Sequence, residues 1–159
     1  MVIAAPLGFV AASELDIKGG MGERSYRPTS VSELQPRYKL GAGEMRIDLR
    51  DLQLPDGRTP LNVKMGAGHV VVYVPEDVCV SSRVKLGAGY AEVLDRDSGG
   101  FDVDWPNVRT PPSGVPVLDL DADVGLGAVE VRYNDERRHG RFGRDRVIER
   151  AGADACVPA

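Results

Sequence analysis

Apolar and polar residues alternate along five stretches of the chain: Tyr38–Leu54, Leu61–Val74, Val78–Val93, briefly Phe101–Trp105, and Val117–Tyr133. Successive side chains of a strand point to opposite faces, so a period of two rich in β-branched residues predicts half-buried strands. Turn chemistry separates the stretches: LPDGRTP at Leu54–Pro60, PED at Pro75–Asp77, DRDSGG at Asp95–Gly100, and PNVRTPPSGVP at 106–116. Their Pro, Asp, Asn and Gly residues supply the dihedral angles that reverse a chain. No long segment keeps a helical period, and the predicted class is all-β.

The alternation carries a repeat. KLGAG at Lys39–Gly43 returns as KMGAG at Lys64–Gly68 and as KLGAG at Lys85–Gly89, with looser copies KGGMG at Lys18–Gly22 and GLGAV at Gly125–Val129. Taking Leu40, Met65, Leu86 and Leu126 as equivalent, the residues two before are Tyr38, Val63, Val84 and Val124. Two after stand Ala42, Ala67, Ala88 and Ala128; five after, Met45, Val70, Ala91 and Val131; seven after, Ile47, Val72, Val93 and Tyr133. All five sets read as inward. The step from the alanine to the next inward position is three residues, which strict alternation forbids. A slip of one residue turns every following side chain to the other face, so something resets the phase there. Gly41, Gly43, Gly66, Gly68, Gly87, Gly89 and Gly127 are placed to do it, since glycine is the usual occupant of a bulge or corner.

Copies 20–50 residues apart point to a stacked architecture. The expected fold is therefore a single-domain, right-handed parallel β-solenoid with Gly-Ala-Gly corners. The last gap is about twice the others, and a degenerate rung around Phe101–Trp105 is expected to fill it. The alternative is an antiparallel β-sandwich, with LPDGRTP and VPED closing hairpins.

Length and composition agree with one soluble domain. The chain has 159 residues, 42% hydrophobic and 28% charged, enough to bury a core without metals or many disulfides. A net charge of −4 argues against general nucleic-acid binding. Cys79 and Cys156 have no metal-ligand spacing and make no disulfide framework; two unpaired thiols are expected, with one disulfide left open for an oxidising compartment. The opening MVIAAPLGFVAA is apolar but too short to span a bilayer and lacks a basic n-region. Residues 1–12 are read as the remnant of a transmembrane segment, 13–135 as the repeat domain, and 136–159 as an Arg-rich, flexible tail.

Candidate chemistry is sparse. The four lysines, Lys18, Lys39, Lys64 and Lys85, each precede a glycine motif. In a solenoid they form a ladder about 4.8 Å apart, with Glu23, Glu44 and Glu92 as candidate interleaving acids. Lys39, Lys64, Lys85, Arg37 and Arg83 on one outward side are the candidate partner-binding residues. A solvated face with local pairs is the plainer reading of such a charge run. Asp119, Asp121 and Asp123 share a face, near Asp102 and Asp104; outward acids explain them better than a Ca²⁺ site or a glycosidase carboxylate pair. His69 and His139 join no metal-ligand set and no nucleophile. The GxG elements precede no helix and are not phosphate loops. No catalytic, cofactor or metal residues are nominated.

The ordered run GGMGERSYRPTSVSELQPRYKLGAGEMRIDLRDL, VKMGAGHVVVYVPEDVCV, VKLGAGYAEV and DVGLGAVEVR resembles the C-terminal β-rich domain of actinobacterial phage-shock-protein-C-type membrane proteins. It is also similar to the C-terminal "toastrack" domain of LiaF-type cell-envelope stress regulators. The resemblance covers about Gly19–Tyr133. It implies a non-enzymatic regulatory or sensory domain of a membrane-tethered protein, without a cofactor. The implied partner is a protein, such as a sensor histidine kinase, or another envelope component. The side of the membrane is left open. The alternative is a bactofilin-like scaffold that self-associates end to end, and a third reading is a carbohydrate-active solenoid enzyme.

Overall fold

A computed structural model of the protein describes residues 20–94, 96–133 and 156. The expected membrane remnant at 1–12 and, Cys156 apart, the Arg-rich tail at 136–159 lie outside these residues. Among the described residues six strands form one sheet: β1 (Met21–Tyr26), β2 (Tyr38–Asp48), β3 (Arg58–Tyr73), β4 (Cys79–Val93), β5 (Arg96–Asn107) and β6 (Val117–Arg132). Their order is β1-β2-β3-β6-β4-β5. Every pairing is parallel except the β4–β5 hairpin. The fold is all-β and solenoid-like, as the periodicity predicts. The order along the sheet is not sequential, because β6 is inserted between β3 and β4.

Each long strand is bent at its glycine motif, and the bends are in register. Gly22, Gly43, Gly68, Gly127, Gly89 and Gly100 make one unbroken row across all six strands. All six have positive φ, from 124° to 146°, a conformation that a side chain makes costly. The row folds the sheet into two arms that enclose one core. Leu40, Val63, Met65, Val84, Leu86, Leu120 and Val124 come from the first arm; Met45, Ile47, Val70, Val72, Val93, Val129 and Val131 come from the second.

Three expectations are corrected by the register. The last repeat copy is displaced by two residues: Val124, not Leu126, pairs with Met65 and Leu86, and Leu126 pairs with Ala67 and Ala88. Both alignments preserve alternation, so the pattern alone could not choose. The alanine row is also not inward. Met21, Ala42, Ala67, Leu126, Ala88 and Phe101 share that row; the alanines are half-buried, and Leu126 and Phe101 are 54% and 89% exposed. This row is the outer ridge of the bend. Finally, the residues expected as a degenerate rung belong to β5, which runs antiparallel. DRDSGG is not a loop, because a tight hairpin turn at Leu94 (φ 59°) puts Arg96 already in strand.

The two cysteines are not free thiols. Cys79, at the start of β4, is joined to Cys156 by a disulfide. Together with Val117 they form a small buried cluster apart from the main core. A sequence separation of 77 made the pairing invisible to a spacing argument.

Candidate functional surface

The outward side of the first arm carries the predicted basic residues. Lys39, Lys64, Asp123, Lys85 and Asp104 occupy one row across β2, β3, β6, β4 and β5. All three lysines are exposed. Stacked like charges repel, and the insertion of β6 separates Lys64 from Lys85 by a carboxylate. The interleaving acids are thus Asp123 and Asp104, not Glu23, Glu44 or Glu92, which lie beyond the bend on the second arm. In the next row Arg83 stands between Asp121 and Pro106. Arg37 is exposed just before β2. One row further on, Asp119 Oδ1 accepts a 2.7 Å hydrogen bond from Arg58.

Asp119, Asp121 and Asp123 therefore stand among cations on one face. Among the described residues no group of three or more His, Cys, Asp or Glu side chains is arranged to hold a metal ion. Trp105 ends the row Tyr38–Val63–Ala122–Val84 and packs on the core as a cap.

The second arm presents a different outward surface. Glu44 and His69 are neighbours across β2 and β3, with Ala128 and Tyr90 continuing their row. His69 Nε2 lies 3.0 Å from Glu130 Oε1, and Arg132 also pairs with Glu130. His69 is thus half-buried, with its ring beside a carboxylate. Near the end of this arm Arg50 grips Asp48 with two hydrogen bonds, Nε–H to Oδ1 at 2.8 Å and Nη2–H to Oδ2 at 2.7 Å. The same guanidinium lies 4.8 Å from the Tyr73 ring centroid. The Arg50 hydrogen bond holds the Asp48 carboxyl below its ordinary range, against the opposing effect of burial. Arg27 donates to Asp51 Oδ2 at 2.6 Å, and that partner raises the Arg27 guanidinium further.

Between the two arms runs the ridge. Its exposed apolar side chains are Met21 and Leu126, each between two glycines, and Phe101, which follows Gly100 and pairs with Ala88. Tyr90, 41% exposed, lies beside Gly99 on the second-arm side of Phe101. Sequence reasoning missed this surface because it assigned the row to the interior. The alternation held no signal for it, because it aligns Leu126 with Leu40 as readily as with Ala42.

The stretch from the first ridge residue to the last core valine matches a known family. Residues 21–131 match the family "Cell wall-active antibiotics response LiaF, C-terminal". The chain belongs to this LiaF-like family. No curated protein matches the chain significantly. Among solved structures, a Clostridium sporogenes protein described as a cell adhesion protein is similar at 19% identity and a TM-score of 0.44. That likeness covers 70% of this chain and 51% of the other, so this chain spans about half its length. Membership makes this a domain of the cell-wall antibiotic stress response. Among the described residues, no helix is long and apolar enough to cross a membrane.

Proposed function

We propose that this is a non-enzymatic regulatory domain of a membrane-tethered cell-envelope stress-response protein. It binds a partner protein, such as a sensor histidine kinase, or another envelope component. The contact surface is the outward side of the first arm together with the ridge. The observation that carries this reading is the adjacency of two unlike surfaces. The row Lys39–Lys64–Asp123–Lys85–Asp104 lies three residues along the strands from the row that holds Met21, Leu126 and Phe101. An apolar strip edged by patterned charge is the anatomy of a specific protein contact, the strip supplying affinity and the charges setting register. Lys39, Lys64, Lys85, Arg37 and Arg83 act as that charged edge.

The polymer reading has less support. The core row of Met45, Val70, Val129 and Ala91 continues onto Arg24 in β1 and Ser98 in β5. A charged side chain at an inward edge position, and an antiparallel strand at the other end, are devices that discourage strand addition. Neither end offers a parallel apolar rung.

The full-length protein in its native membrane tests the proposal. Cross-linking and co-purification are compared for the wild type, for a Lys39→Glu/Lys64→Glu/Lys85→Glu variant, for Phe101→Asp, and for a second-arm control, Glu92→Lys. Loss of one defined partner and of the antibiotic-induced response in the first two variants, with both kept in the control, is the expected result. Unchanged capture in the first two sinks the proposal.

A further inference from the structure

The two cysteines carry an assignment that neither the family nor the repeat supplies. Cys79 occupies the outward row of β4, level with Val117 of β6 and, beyond it, Arg58 of β3. Apolar side chains in an outward row belong in water only singly. Here Cys79 and Val117 are almost wholly buried, because Cys156 lies over them. The sulfur of Cys156 also sits 3.7 Å from the Val80 carbonyl oxygen. The bridge is therefore a packed part of the domain. It joins the chain's two cysteines and leaves no thiol over among them.

We infer that this domain stands on the oxidising, outer side of the membrane, and that a dithiol–disulfide oxidoreductase there closes the Cys79–Cys156 bridge. Cytosolic thiol pools keep such pairs reduced, whereas exported proteins hold structural disulfides. The reaction balances as two exchanges. The thiolate of one cysteine attacks the disulfide of the oxidoreductase, forming a mixed disulfide and releasing one enzyme thiolate. The thiolate of the other cysteine attacks the substrate sulfur of that mixed bond, forming Cys79–Cys156 and releasing the second. Two electrons pass to the oxidoreductase, and the two thiol protons are taken up as its dithiol. Because Cys79 is buried in the folded domain, exchange precedes the seating of Cys156 on the sheet.

The inference rests on the membrane-tethered reading above, and the experiment separates the two. Cells producing the full-length protein are quenched in acid and blocked with a small maleimide. The sample is then reduced and tagged with a heavy maleimide. Two reduction-dependent tags per chain that the Cys79→Ser/Cys156→Ser variant lacks are expected; both of these thiols already blocked before reduction overturn the inference. Sidedness is read in a Cys79→Ser/Cys156→Ser background with Ser25→Cys on the exposed β1 strand. A membrane-impermeant maleimide should label it in intact cells, whether or not the variant folds fully. Labelling only after lysis overturns the assignment. Fractionation reports the tether separately: an oxidised wild-type protein released outside the cell removes the tether and leaves the compartment standing.

Discussion

Gly68 is packed against Gly43 so closely that a Cβ on Gly68 would overlap the Gly43 carbonyl oxygen. The same relation recurs from Gly43 to Gly22, from Gly127 to Gly68 and from Gly89 to Gly127. Two causes thus coincide at each interior corner, a positive φ and a backbone neighbour where a side chain would go. Gly22, at the edge of the row, keeps the φ of 124° but has nothing within 4 Å of a built Cβ. Gly68→Ala is expected to destabilise by about 4 kcal/mol or more, since the clash is with backbone that cannot move alone. Gly22→Ala is expected to cost only about 1–3 kcal/mol, the backbone-strain share. Denaturant unfolding of the two variants checks the order; equal losses would mean that the stacking contact contributes nothing.

One position before Gly127, the outcome reverses. Leu126 is on the exposed ridge and contributes little to the core. Leu126→Ala should shift stability by no more than about 0.5 kcal/mol, while Gly127→Ala should behave like Gly68→Ala. A large loss at Leu126 would show that the ridge is covered.

The disulfide also has a stability consequence. It closes a long stretch of chain, and removing such a bridge typically costs about 2–5 kcal/mol. Cys79→Ser/Cys156→Ser is expected to lower the unfolding free energy by that amount. The wild type measured with and without reductant should show the same difference.

The Asp48–Arg50 pair predicts an acid-side effect. The folded carboxyl titrates below its unfolded value, with the Arg50 hydrogen bond as the largest cause. Its contribution is therefore present above the ordinary carboxylate range and is lost as the pH falls through the lower, folded value. Asp48→Asn should remove that dependence and cost roughly 1.5–3 kcal/mol near neutral pH, the range for hydrogen bonds to charged groups. Urea midpoints between neutral and acid pH, compared for wild type and variant, check it; parallel curves would exclude Asp48 as a source.

The amino-acid sequence by itself determined the four long strands β2, β3, β4 and β6, the inward core of the first three copies apart from their alanines, and the glycine corners. These are local consequences of side-chain period and of the one residue type that accepts a positive φ. The family resemblance was legible for the same reason, since it was read from those corners in order. Which rungs are neighbours was decided only in three dimensions. Alternation leaves a two-residue shift unresolved, so Leu126 and Val124 were interchangeable until β6 docked between β3 and β4. That insertion also placed Asp123 between Lys64 and Lys85, turned the alanine row outward into a ridge with Leu126 and Phe101, and aligned Cys79 with Val117. Contacts between residues far apart in the chain depend on strand order, and strand order is a property of the packed core rather than of any one strand.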